Sequence, residues 1–402
     1  MADSLNRKML KVIENGNCSG CGVCALVSPR VSMELDSRSG FLRPHLASGD
    51  HSQSADEQEA REFSRVCPGR SLSAPRAAPH RDPDFGSYES VWEAWAVDDE
   101  TRHSGSSAGV LTALSQWLLS SGRVGAVTSA ASDAGSPSRS VGQRHTAAAG
   151  IATTAGSRYA PVSTSSVARL GSGEALVGKP CEVAGVRQLE IERGLEPSLL
   201  LSFFCAGTPS QRATTVLLEE LGFEPDDVAQ MRYRGNGWPG SFEAITRDGR
   251  VGRTDYASAW SRVLGRQIET RCRICVDGTG QFSDLAVADF WEADERGYPS
   301  FTEASGRSAV IARTKRGHDA LLAAAADGVV SIRPIPIAEL VAMQPAQTAR
   351  QRTMIARLAA RTLMGKRVPA YRGFVMWRHL FRRPVLSAKH FLGTVIRTRQ
   401  GR

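Results

Sequence analysis

Apolar and polar residues alternate through Val31-Ser32-Met33-Glu34-Leu35, and Ser39-Gly40 supplies a turn before Phe41, which predicts a short strand entering a chain reversal. A second strand pattern, Val91, Trp92, Trp95, Ala96 and Val97, precedes a run of small residues ending at Gly109. Val110, Leu111, Leu114, Trp117 and Leu118 then recur at helical spacing, with Ser107 placed to cap that helix. Further on, Val124–Ala130, Ala175–Val177, Leu199–Phe204, Leu285–Phe290, Ala309–Ala312 and Val329–Ile332 are apolar runs of strand length. Ser210 caps a helix through Val216, Leu217, Leu218 and Leu221 that stops at Gly222. Residues 129–156 are small and featureless. Strands interleaved with helical stretches predict an α/β (α+β) body on a mixed sheet.

The cysteines place chemistry on this frame. Cys18, Cys21 and Cys24 are two residues apart, so the backbone can curl and aim successive sulfurs at one centre, and the small residues between them let it come close. Cys67-Pro68 repeats the end of the bacterial ferredoxin run, with a long insertion before the last thiol. This pattern predicts a ferredoxin-like 4Fe-4S segment. A four-thiolate zinc site suits isolated Cys-x-x-Cys pairs but suits three consecutive ligands plus Cys-Pro poorly. Cys181, in Gly178-Lys179-Pro180-Cys181, and Cys205 each follow a predicted strand, and strand ends are where open α/β sheets carry their sites. Cys272 and Cys275 complete a second set of four, so the eight cysteines divide into two quartets.

Two loops add candidate ligand sites. The small residues before Val110 open a helix, where free backbone N–H groups and the helix dipole favour a phosphate. Arg232-Tyr233-Arg234-Gly235-Asn236-Gly237-Trp238-Pro239-Gly240 joins two cations to an aromatic face and flexible glycines, which suits a planar anionic cofactor.

A length of 402 residues favours two or three domains, and 41% hydrophobic with 23% charged residues is a globular composition. Met1 to Lys11 carries no apolar run of signal-peptide length, and nothing approaches about 18 uninterrupted apolar residues. The expected location is therefore cytoplasmic, where thiols stay reduced and clustered cysteines are metal ligands. The formal charge of +9 sits in residues 344–402, where fourteen Lys and Arg meet no Asp or Glu, so the preceding part is mildly acidic. There Arg350, Arg352, Arg357, Arg361, Lys366, Arg367, Arg378, Arg382 and Arg383 alternate with Met354, Ile355, Leu358, Leu363, Val375, Trp377, Leu380 and Phe381. A basic helical appendage packed on its own protein is expected, with peripheral contact to an anionic membrane or an acidic partner such as a ferredoxin as the docking alternatives. No nucleic-acid module accompanies the charge. Ser71–Pro83, rich in Pro, Ala and Arg, reads as a linker.

Together these motifs resemble the beta-subunit family of coenzyme F420 hydrogenases and dehydrogenases. The resemblance rests on the Cys18–Cys24 run with Cys67-Pro68, Ser106-Ser107-Ala108-Gly109-Val110-Leu111-Thr112-Ala113-Leu114, Gly178-Lys179-Pro180-Cys181, Phe204-Cys205-Ala206-Gly207-Thr208-Pro209-Ser210, Tyr233–Gly240, and Arg271–Cys275 with Ala288-Asp289-Phe290-Trp291. Where the family usually carries Ser-Gly-Gly, this chain has Ser107-Ala108-Gly109. The resemblance implies an FAD-binding body with two 4Fe-4S clusters, one on Cys18, Cys21, Cys24 and Cys67 and one on Cys181, Cys205, Cys272 and Cys275. It implies reduced coenzyme F420 exchanging hydride at the flavin, and a redox partner protein. Ser106, Ser107, Gly109, Thr112, Lys179, Asn236, Gly237 and Trp238 are the expected cofactor-binding residues. The expected organisation is a ferredoxin-like iron-sulfur domain over 1–70, a linker over 71–87, the two parts of the family body over 88–170 and 171–343, and the basic tail over 344–402. A superfamily relative, 7-hydroxymethyl chlorophyll a reductase, looks similar in cofactors but takes electrons from ferredoxin, so a ferredoxin-dependent reductase of an organic substrate is the rival reading. A zinc-stabilised scaffold is the reading from another class.

Overall fold

The structure, a computed structural model, describes residues 4–47, 52–292, 294–295, 297–299, 302–379 and 384–400. An eight-stranded mixed sheet runs through its centre in the spatial order Val330–Pro334, Ser90–Ala96, Ser308–Ala312, Leu285–Asp289, Leu199–Phe203, Glu174–Gly178, Ala126–Ser132 and Ser140–His145. The four strands Leu285–Asp289, Leu199–Phe203, Glu174–Gly178 and Ala126–Ser132 are parallel. Both outer flanks are antiparallel. Parallel strands covered on both faces read as unbroken apolar runs. Accordingly Leu201, Val127 and Val310 pack with Leu114, Trp117 and Leu321 on one side. On the other, Leu176 and Leu200 meet Val183 and Val186, and Ala286 and Ile311 meet Phe85.

Each apolar run predicted as a strand is one, to within two residues at either end. The edge strand Ser140–His145 had no such signal, because Ser-Val-Gly-Gln-Arg-His lacks apolar alternation; its pairing with Ala126–Ser132 holds it. A separate three-stranded antiparallel sheet, Val228–Arg232, Ser241–Thr246 and Val251–Asp255, frames the Arg232–Gly240 loop. Ser210 caps the helix Gln211–Glu220 as expected, its hydroxyl accepting from the Ala213 N–H at 3.3 Å.

The cap of Val110–Ser120 differs from expectation. Gly109, at φ 68°, is the N-cap, and the Ser107 hydroxyl instead donates to the Arg307 carbonyl at 2.7 Å. The reason is steric: a Cβ on Gly109 would lie 2.3 Å from the Thr101 carbonyl oxygen, so only glycine can make this left-handed turn against the preceding helix, Asp99–Ser104.

Ahead of the sheet, Leu5–Glu14, Val23–Val27 and Gln53–Val66 are helices, and Val31–Asp36 pairs with Phe41–Leu46 in the expected reversal. Leu5, Met9, Val12, Val27, Phe63 and Val66 give this unit an apolar core of its own, joined to the body through Leu189. Residues 71–87, expected as a linker, carry structure: Ser71–Ser73 pairs with Ala370–Arg372, His80–Asp82 pairs with Gly86–Tyr88, and Phe85 is fully buried. The buried Arg313 holds that turn by donating to the carbonyls of Phe85, at 2.6 Å, and Ser87, at 3.0 Å.

The basic segment packs on its own protein. Pro345–Arg352 and Met354–Leu363 are helices, and Met354, Phe374 and Met376 enter the core beside Val276 and Phe282. Arg382 and Arg383, counted in the basic pattern with Leu380 and Phe381, lie outside the described residues. Among the described residues no helix is long and apolar enough to cross a membrane.

Candidate functional site

Both thiol quartets are gathered. Cys18, Cys21, Cys24 and Cys67 line one hollow, with Met9, Met33 and Phe63. Cys181, Cys205, Cys272 and Cys275 line a second, with Thr208, Arg271 and Arg350, and Ser19 borders both. Local structure explains the convergence. Gly20 and Gly22, at φ 65° and 83°, turn the chain around the first three thiols, and Cys67 ends the helix Gln53–Val66. Cys181 opens the helix Pro180–Arg193 after one parallel strand, Cys205 follows the next, and the short helix Thr270–Arg273 brings the last pair.

The two hollows are pinned together. The Ser163 hydroxyl donates to the Cys21 carbonyl at 2.9 Å, Ser165 donates to the same oxygen, and Arg43 pairs with Glu269 at 2.7 Å. In Pro180–Arg193, Glu182 accepts from the Lys179 N–H at 2.7 Å, the Lys179 ammonium at 2.9 Å and the Thr164 N–H at 2.8 Å. Lys179 is thereby committed to Glu182 and to the Val162 carbonyl.

All eight cysteines are free thiols. Burial pushes the Cys18 thiol up to about 11 and Cys272 up to about 12, and it raises Cys21, Cys24, Cys67, Cys181 and Cys205 as well. Burial disfavours the thiolate, so these thiols are poor nucleophiles as they stand, and a bound cation would favour the thiolate form. Four thiolates can hold either a zinc ion or a 4Fe-4S cluster, and the surroundings of the second quartet suit the net negative charge of such a centre. The Thr208 N–H donates to Cys272 Sγ at 3.4 Å. Arg271 is 2% exposed beside the second quartet, donates to the Pro68 carbonyl at 3.1 Å, and has Nε and Nη1 unpartnered among the described residues. A buried guanidinium with two idle donors is costly unless an anion faces it.

The two loops singled out in the sequence also meet. The Gly237 N–H donates to the His103 carbonyl at 2.9 Å, and Arg232 donates to the Ser104 carbonyl at 2.8 Å. Ser106 accepts from Ser157 at 2.8 Å, and the Ser107 hydroxyl accepts from Ser308 at 3.1 Å. Trp238 stacks on Trp291 with centroids 6.4 Å apart, while Arg234 lies over Trp238 and pairs with Asp289 at 2.5 Å. Asn236 is exposed in the left-handed region, and Thr112 lies in the first turn of Val110–Ser120. Lys179 stands apart from this group, at the thiols: Cys181 and Cys205 act on its charge.

Sequence reasoning gave no role to Arg271, Thr208, Ser163 or Ser165, and treated Arg350 only as part of a charged tail. Arg350 donates to the Cys205 carbonyl at 2.6 Å, Gln347 to the same oxygen at 3.2 Å, and the Tyr371 hydroxyl to the Ile274 carbonyl at 2.7 Å. The C-terminal segment thus closes over the second quartet. The only available signal was the lack of any acid to partner its cations.

Thiols paired off into two adjoining hollows beside a parallel-centred sheet are the arrangement of a redox protein. The chain matches the N-terminal part of the coenzyme F420 hydrogenase/dehydrogenase beta-subunit family over residues 91–169 and the C-terminal part of the same family over residues 173–337. These matches cover more than half of the chain, which belongs to the coenzyme F420 hydrogenase/dehydrogenase beta-subunit family, a family of oxidoreductases. It is 26% identical over 187 residues to a coenzyme F420-dependent sulfite reductase of Methanocaldococcus jannaschii, spanning 46% of this chain but 27% of that protein. A chain in the structure of the F420-reducing NiFe hydrogenase complex from Methanosarcina barkeri shares the fold, with a TM-score of 0.51 at 20% identity, covering 69% of this chain and 96% of that one.

Proposed function

We propose that this protein is an iron-sulfur flavoprotein that exchanges hydride with reduced coenzyme F420 at FAD and relays electrons to or from a partner protein through two 4Fe-4S clusters. The observation that carries the reading is the pair of four-thiol hollows sharing Ser19, in a member of this family. Cys18, Cys21, Cys24 and Cys67 would hold one cluster, and Cys181, Cys205, Cys272 and Cys275 the other. FAD supplies two-electron hydride chemistry and the clusters supply one-electron transfer. The chain's own task is to hold and orient. Ser106, Ser107, Gly109 and Thr112 would take the flavin phosphates at the start of Val110–Ser120, with Asn236, Gly237 and Trp238 against the ring system. Arg271 and Arg350 offset the negative charge of the second quartet. A redox partner protein is in keeping with the hydrogenase complex whose chain shares the fold.

Anaerobically purified protein should contain iron, labile sulfide and flavin. Mixing it with reduced F420 should bleach the flavin. Bleaching by reduced ferredoxin alone would replace this reading with the ferredoxin-dependent one, and zinc in place of iron would leave the scaffold.

A further inference from the structure

The last described helix, Pro384–Arg399, turns several large apolar side chains to the outside. Its inward face carries polar groups beside the half-buried Phe391: Ser387 is 8% and Thr394 7% exposed, and His390 Nδ1 meets the Arg357 guanidinium at 3.1 Å on the neighbouring helix Met354–Leu363. Its outward face carries Val385, Lys389, Leu392, Ile396 and Arg399, spaced i, i+4, i+7, i+11 and i+14, which is one stripe of a helix. Val385 is 82% exposed, Leu392 60% and Ile396 56%. Adjoining segments expose Leu363 and Trp377 as well. Among the described residues nothing covers the stripe, and soluble surfaces rarely carry so many large apolar side chains in one short segment.

We propose that this face seats the protein on the surface of an anionic lipid bilayer. The choice of lipid over protein follows from how the charges are distributed. Lys389 and Arg399 lie within the apolar stripe, not around it, and residues 344–402 contain no acid at all. The buried centre of a protein interface is depleted in lysine, so Lys389 in the middle of the stripe disfavours a protein partner. An interfacial helix takes such charges readily, because the aliphatic stems lie along the acyl boundary while the cations reach the headgroups. Trp377 suits the same depth. The helix has 16 residues, about 24 Å, and lies along the protein, which fits a peripheral mount. The inference rests on this face alone and not on the cofactors.

The test is co-sedimentation of the full chain with vesicles of neutral phosphatidylcholine and with vesicles containing phosphatidylglycerol. Binding to the anionic vesicles only, weakening as salt is raised, is expected. The triple substitution Val385→Ser, Leu392→Ser and Ile396→Ser should reduce that binding more than about tenfold. Because these side chains face outward, the variant should keep the circular dichroism and thiol count of the parent. Failure to bind either vesicle overturns the proposal. So does a self-associated chain that the triple variant converts to a monomer without any vesicle binding, which would make the stripe a protein interface.

Discussion

Arg271 and Arg350 approach the second quartet from different parts of the chain, one next to Cys272 in sequence and the other from a segment more than seventy residues further on. A guanidinium held close to a redox centre favours its more negative, reduced state. Arg350→Met should therefore lower the midpoint potential of that centre by on the order of 50 mV, with Arg350→Lys in between, while iron content stays at the parental level. Redox titration followed by electron paramagnetic resonance would show this, and an unchanged potential would remove Arg350 from the electrostatics of the site. Glu182 poses a different question, since it is fully buried and is the acceptor for three donors. Replacing it with alanine leaves the buried Lys179 ammonium without its counter-charge, at a cost of about 3–5 kcal/mol. A denaturant midpoint close to the parent's would contradict that account. The thiols were legible residue by residue because their short, regular spacing is a local feature of the chain. Arg271, although adjacent to Cys272, gave no sign of its burial, since a charged side chain announces its partner only once the chain has folded.

Elements reveal the same division. The parallel strands were evident because burial on both faces writes itself into unbroken apolar runs. The edge strand Ser140–His145 and the hairpin of His80–Asp82 with Gly86–Tyr88 were not, since each depends on contacts outside its own apolar pattern. The loop before Val110–Ser120 illustrates how exacting such contacts are: a Cβ on Gly306 would fall 1.5 Å from the Ser107 carbonyl oxygen. Gly306→Ala must push that loop aside. Flavin content should fall severalfold in this variant while iron and sulfide remain near the parental level, a separation that measures the loop's part in flavin binding. Equal loss of both would show a general failure to fold instead. The C-terminal segment was expected to be helical and packed on its own protein, and it is, yet its closeness to Cys205 and the outward apolar side chains of its last helix were invisible, because periodicity gives the faces of a helix but not which face turns inward.

Across the whole molecule, the two quartets divide the chain's thiols so that each draws on distant segments: Cys67 joins three thiols more than forty residues before it, and Cys272 and Cys275 join two that follow separate strands of the sheet. If they are independent centres, Cys272→Ser should remove about half the iron and leave the spectrum of the first centre in place. Loss of all iron would mean that the hollows form only together. By itself the sequence determined the local matters: the strands and helices written as apolar runs, the thiol spacing of Cys18 to Cys24, and the small-residue loop, all of which arise from chemistry between near neighbours. Tertiary structure alone decided that the two hollows touch at Ser19, that Lys179 serves Glu182, and that the last helix turns its apolar stripe outward. These depend on long-range packing, where which surfaces meet is chosen by the fit of whole elements and leaves no periodic trace along the chain.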